Sequence, residues 1–215
     1  MSRDQRQENR LFRVPNMVAW FYPRRVWGFK KDKSIYLTFD DGPHPETTSW
    51  LLQILKEKNI RSTFFWLGTQ IEQNKEFVEK AIKDGHTIGH HGYDHISPKK
   101  QSFEDFKANF EKSKSLVPHK VYRPPYGDIK KTQAKYALQN GPLIMWNWLS
   151  YDWDKEVPVK SILRKFSTDV KGGDIIVFHE NEKSKERLKQ IIPEIITIVR
   201  DKGLKFASLN DKLKY

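Results

Sequence analysis

Two adjacent carboxylates, Asp40 and Asp41, end the apolar run at residues 35–39 and are followed at once by Gly42 and Pro43. Like charges side by side repel, and in a low-dielectric site they coexist when a cation lies between them or when one is protonated. The same four residues also suit a surface turn. Histidines gather in the segment 85–95 as His86, His90, His91 and His95. His91 and His95 are four apart, so one helical turn or a tight loop can aim both rings at one point. Two neutral imidazoles and one carboxylate leave positions on a divalent ion open for water and substrate, which makes Asp41, His91 and His95 a candidate metal set. The histidine spacing by itself is equally that of a surface pair or a helix cap.

Three further fragments could do chemistry. Arg123-Pro124-Pro125-Tyr126-Gly127 joins a fixed charge to a rigid double proline and a glycine, a backbone suited to one exposed shape or to a loop braced by an ion pair. Asp152 and Trp153 follow the aromatic run at 146–148; alone they also read as a helix cap and a core residue. His179 closes the apolar run 175–178, a position open to a hydrogen-bonded core-edge histidine as well as to a catalyst.

The elements that must position these residues follow from hydrophobic period. Apolar runs at 35–39, 62–67, 86–90, 121–123, 143–148, 174–178 and 205–207 read as strands. Amphipathic stretches near 47–58, 71–83, 103–115, 131–139, 159–170 and 184–202 read as helices. Seven strands alternating with helices predict an α/β fold with a parallel sheet, closed or nearly closed into a barrel. In such folds function gathers at the C-terminal ends of the strands, where the fragments above all fall. The 215 residues suit one large domain, and no stretch approaches the roughly 20 apolar residues that span a bilayer. The opening residues lead into no signal-peptide core, an expectation that favours the cytoplasm and leaves the cell envelope open. The aromatic piece at 17–22 reads as an arm packed on the domain, with peripheral membrane contact as the lesser alternative. No cysteine is present, which excludes disulfides, thiolate ligands and a Cys nucleophile. The net charge of +12 favours anionic partners, yet most lysines alternate with acids on helix faces and no nucleic-acid recognition pattern is present.

Taken in order, Thr38-Phe39-Asp40-Asp41-Gly42-Pro43, the segment 85–95, Arg123-Pro124-Pro125-Tyr126-Gly127, Asp152-Trp153 and Phe178-His179 resemble the motifs of the polysaccharide deacetylases, the NodB-homology carbohydrate esterases. The resemblance covers about residues 34–210 and implies a distorted, TIM-barrel-like (β/α) barrel of about seven parallel strands. It divides the chain into an N-terminal arm, 1–33, and a catalytic domain, 34–215. It implies metal-dependent removal of acetyl groups from N- or O-acetylated sugars of a polysaccharide or oligosaccharide, by a monomer that binds no nucleic acid. Asp41, His91 and His95 would hold one divalent ion, zinc with cobalt or nickel as alternatives. Asp40 would be the general base paired with Arg123, and His179 the general acid held by Asp152. Tyr126 would offer its backbone N–H to the oxyanion, and Trp153 with Phe178 an apolar slot for the acetyl methyl. The chain departs from the family pattern at His90 (usually Asn), Gly92 (Ser or Thr), Leu149 (Asp) and Glu180 (often Asp). Two other readings compete: a carbohydrate-binding protein with a relict site and an aromatic platform of Trp146, Trp148, Tyr151 and Trp153, and a metal-independent amidase of the same fold acting on small cyclic amides, in which the metal histidines or Asp41 should be missing, whereas here they are present.

Overall fold

A computed structural model describes residues 10–213, so residues 1–9 of the expected arm and 214–215 of the expected domain lie outside it. At its centre is β1 (Ser34–Asp40), whose residues after Ser34 are all buried. It pairs in parallel with β2 (Thr63–Trp66) on one side and β5 (Ile175–His179) on the other, while β6 (Lys205–Phe206) joins its N-terminal end. The sheet runs β3-β2-β1-β5-β4, with β3 spanning Thr87–His90 and β4 Trp148–Leu149. Helices α2 (Pro45–Glu57), α3 (Gly68–Gln73), α4 (Glu76–Lys83), α5 (Phe103–Lys114), α6 (Lys131–Asn140), α7 (Val159–Asp169) and α8 (Lys185–Asp201) connect the strands, and a short α1 (Asn16–Phe21) precedes them.

The parallel α/β architecture is as expected, with six strands in place of seven among the described residues and no continuous ladder among them closing the ring. The expected strand at 121–123 is reduced to single bridges from Tyr122 to His90 and to Leu143. Its continuation is Pro124-Pro125 and its neighbour begins with Pro142; prolines donate nothing to a ladder. The expected strand at 143–148 shrinks to β4 because the chain before β1 competes for its backbone. Val26 N–H bonds Leu143 O, Val14 N–H bonds Asn147 O, and Leu149 N–H bonds Phe12 O. The expected helix at 71–83 is broken into α3 and α4 at Asn74.

Alternation along the strands sorts the side chains. Ile35, Leu37 and Phe39 of β1, Phe64 and Trp66 of β2, and Ile176 and Phe178 of β5 face the helices and join Leu51, Leu55, Leu188, Ile192 and Ile195 in the main core. Tyr36, Phe65 and Ile175 face the barrel interior and pack with Val121, Ile144 and Leu209. Thr38, Asp40 and His179 share that inward parity, so the polar residues of the inner face lie toward the C-terminal end.

Candidate active site

Asp40 and His179 are register partners on adjacent parallel strands, which places both side chains on one face at the barrel mouth. Asp40 is nearly sealed from solvent, and its Oδ1 accepts from Nη1 of Arg123 at 2.6 Å. Arg123 is wholly buried; Nη1 also donates to Thr38 Oγ1 at 2.7 Å and Nη2 to the Met145 carbonyl at 3.0 Å. Its guanidinium lies 4.2 Å from the Phe65 ring centroid, so packing as well as charge fixes it. On the other side His179 Nδ1 meets Asp152 Oδ1 at 2.9 Å, and the His179 backbone N–H donates to Asp152 Oδ2 at 2.8 Å. Ser150 Oγ donates to Asp152 Oδ1 at 2.5 Å. Burial by itself would lower the His179 imidazole; the charge and hydrogen bond of Asp152, with Asp41 and Asp40 beyond, outweigh it and push the group up to about 9.

Asp41 turns out of β1 with φ +79°, His95 has φ +61° and Tyr126 φ +60°. Three left-handed non-glycine residues at one mouth are a concentration of backbone strain of the kind that marks built sites. Nε2 of His95 lies 3.2 Å and Nε2 of His91 3.8 Å from Asp41 Oδ1, and one ligand atom from each of the three residues falls within 4.8 Å of the others. His91 Nδ1 donates to the Arg123 carbonyl at 2.8 Å, which leaves its Nε2 lone pair aimed at Asp41. Burial pushes His91 down to about 4, against the pull of Asp40 and Asp41, so the ring is neutral at neutral pH. Burial would raise the Asp41 carboxyl, but His95, His179 and His91 more than offset it and hold it ionised. Asp41 Oδ1 is buried with no well-aligned hydrogen-bond donor. An orphaned carboxylate oxygen facing two imidazole nitrogens is the donor set a divalent cation takes.

Three of the four departures from the family pattern, His90, Gly92 and Glu180, acquire physical reasons, and nothing in the structure explains the side chain at Leu149. His90 faces α5, not the mouth: its ring sits 4.6 Å from Phe110 and 4.7 Å from Tyr122, with Nδ1 on Ser113 Oγ at 2.8 Å. Burial holds it neutral, down to about 3, so it is a core residue. Gly92 adopts φ +80°, a conformation in which the usual Ser or Thr would be strained. Glu180 is fully buried, accepting from Thr48 Oγ1 and from Trp66 Nε1 at 3.0 Å, and burial raises its carboxyl well above the usual range. Leu149 gives its N–H to Phe12 of the arm.

The structure brings together Asp40, Asp41, His91, His95, Arg123, Asp152 and His179. Trp153 stands edge-on to His179 at 4.3 Å, and the exposed Tyr126 ring lies 4.6 Å from His95. Phe178 is not among them: alternation turns it to the opposite face of β5, fully buried and stacked on Phe39. Trp148 is likewise core, against Phe166, so the aromatic run offers no continuous platform. Sequence reasoning missed Asn181, whose Nδ2 donates to Asp41 Oδ2 at 2.7 Å while its Oδ1 accepts from Lys183 N–H and from Ser184 N–H and Oγ. It missed Asn109 as well, which accepts from Tyr93 N–H and donates to Asp94, bracing the loop that carries His95. Neither lies in a motif; their only signal is a loop or helix position that becomes meaningful once the fold is placed.

Comparison with known proteins adds context to this geometry. The profile described as polysaccharide deacetylase matches residues 28–142. A peptidoglycan-N-acetylglucosamine deacetylase of Bacillus cereus is 28% identical over 205 residues, 92% of this chain and 93% of its own length. A second protein of that name from the same organism is 32% identical over 187 residues, 81% of this chain and 66% of its own length. A crystal structure of a peptidoglycan N-acetylglucosamine deacetylase superposes with a TM-score of 0.78 at 29% identity, covering 90% of this chain and 95% of the other.

Proposed function

Because the chain belongs to the polysaccharide deacetylase family, whose curated relatives are hydrolases, we propose that it removes acetyl groups from N-acetylated sugars of a polysaccharide or oligosaccharide. N-acetylglucosamine units of peptidoglycan are the first substrate to test, from the names its relatives carry. The observation that carries the reading is the orphaned Asp41 Oδ1 facing His91 and His95, flanked by an Asp–Arg pair on one side and an Asp–His pair on the other. Residues 34–215 are assigned as the catalytic domain and 1–33 as its arm.

Asp41, His91 and His95 would hold one divalent ion, zinc by ligand type, with cobalt or nickel as alternatives. When bound, such an ion acidifies a water and polarises an acetyl carbonyl. Asp40, whose Oδ1 is engaged by Arg123, keeps Oδ2 to take the proton of the attacking water. As the carbon–nitrogen bond breaks, His179 donates from Nε2 to the leaving amine, because Nδ1 is committed to Asp152. The Tyr126 N–H is assigned as an oxyanion donor and Trp153 as the apolar wall for the acetyl methyl. The products are acetate and a free amine, and O-acetyl sugars would follow the same path to an alcohol.

The test is acetate release from N-acetylglucosamine oligomers, peptidoglycan fragments and O-acetylated glycans. Protein as isolated, chelator-treated and zinc-reloaded is compared. Release that disappears with chelator and returns with zinc is expected. Protein carrying one equivalent of metal that frees no acetate from any glycan would overturn the proposal.

A further inference from the structure

The segment between Phe12 and Phe29 takes no part in the site above. Both of its flanks are pinned to the sheet: Phe12 is buried beside Trp148 and Tyr151, Arg13 grips Asp174 at 2.6 Å, Val26 bonds Leu143 and Met145, and Phe29 N–H bonds Gly173 O. Between the flanks α1 stands out with no buried residue. Its side chains are apolar all the same: Met17 is 64% exposed, Trp20 73%, Phe21 61% and the following Tyr22 44%. Folding does not hide this surface, and a contiguous apolar tip rimmed by polar residues marks a contact surface.

The rim is basic. Between Arg10 and Lys31 there is no acidic residue and there are six basic ones. Arg10 and Arg13 are paired with Asp154 and Asp174, and Arg25 lies 4.2 Å over the Tyr22 ring, whereas Arg24, Lys30 and Lys31 have no ion-pair partner among the described residues. A groove of ≈ 850 Å³ beneath the helix is lined by Trp20, Arg25, Lys30, Lys31 and Lys171, and the one carboxylate in its wall, Asp174, is already held by Arg13. Apolar and aromatic side chains that protrude among unpaired Lys and Arg are the chemistry that lies in the headgroup region of an anionic bilayer. A sugar surface is less well served: Trp20 and Phe21 stand edge to face at 64°, which presents no flat stacking platform.

We propose that α1 and the basic groove below it form a docking surface for an anionic phospholipid bilayer. The surface lies beside residues 173–174 and 30–31, which precede β5 and β1, so it sits at the N-terminal end of the parallel sheet. The candidate site is at the C-terminal end, about 20 Å away at roughly 3.3 Å per residue along β1. Docking would turn the mouth away from the lipid and toward polymer in the surrounding water. Among the described residues no helix is long and apolar enough to cross a membrane, so this contact is interfacial. The proposal is independent of the chemistry assigned to the mouth.

Co-sedimentation of the full chain with phosphatidylcholine vesicles, with and without phosphatidylglycerol, tests it. Binding to the anionic vesicles alone, weakened by salt and accompanied by a blue shift of tryptophan emission, is expected. Trp20→Ser with Phe21→Ser should abolish the pelleting and the shift. Arg24→Ser with Lys30→Ser should reduce partitioning roughly thirtyfold. Thermal unfolding of each variant, unchanged from the parent, shows that the fold is intact. Equal binding to neutral and anionic vesicles, or no binding to either, overturns the proposal. So does a dimer that the Trp20 and Phe21 changes dissolve, which would assign the surface to a second copy of the chain.

Discussion

Replacing Asp152 by Asn isolates what one buried charge does for His179. The imidazole is pushed up to about 9 by anions that outweigh its burial, and Asp152 is the largest of them. With the charge removed and the burial kept, the group falls to or below its ordinary value of about 6.5. At about pH 8 the protonated, donor-competent fraction drops from about nine-tenths to about one-thirtieth, so turnover should fall about thirtyfold from protonation alone. The alkaline limb of the pH–rate profile should move down by at least about 2.5 pH units, and a cation bound at Asp41 should move it down further in parent and variant alike. A second readout needs no activity. A histidine raised in the folded state contributes stability that is complete below about 6.5 and lost as pH rises through about 9, here on the order of 3 kcal/mol. Urea unfolding of the parent should therefore weaken across that window, and Asp152→Asn should flatten the slope. Histidine ring NMR gives the titration directly. A variant that retains a His179 midpoint near 9 and an unmoved alkaline limb would refute the assignment.

Asp40→Asn should leave one metal equivalent bound and reduce acetate release at least about a hundredfold; near-parental activity would remove Asp40 as the base. Asn181→Ala should weaken metal binding about tenfold to a hundredfold in a chelator competition, because Asp41 Oδ2 loses its amide donor, and should cost the metal-free protein about 1 kcal/mol as Lys183 and Ser184 lose their acceptor. Glu180→Gln should raise the melting temperature at neutral pH and lessen the fall in stability between mild acid and neutrality. A carboxyl raised by burial contributes in its protonated form and becomes a liability as pH climbs past the unfolded value. His90→Ala should cost about 2–4 kcal/mol by emptying the space between Phe110 and Tyr122 without changing metal stoichiometry.

The legible parts of the chain are those where chemistry and periodicity coincide. Ile35 to Phe39 is apolar except for Thr38 because β1 is covered on both faces, and the strand ends where the acids begin. Asp40, Asp41, His91, His95, Arg123, Asp152 and His179 stand in motifs dense enough to be read in a single sequence. Phe178 stands next to the motif histidine in sequence yet not in space, because His179 is at the mouth and adjacency along a strand means opposite faces. Residues 121–123 have strand composition, but their ladder is set by Pro142 and Pro124 and by competition from Val26, none of which periodicity registers. Asn181 and Asn109 act through loop and helix positions that exist only after folding.

Arg123 serves the mouth through two chemically distinct handles. Its side chain holds Asp40, while its carbonyl fixes the ring of His91. Only the first of these is written in the genetic code for that position; a carbonyl survives every substitution. Losing the guanidinium would therefore strand the base while His91 kept its orientation. A single codon change at this position can thus uncouple the proposed base from the proposed metal set, which no substitution of Asp41, His91 or His95 themselves would do.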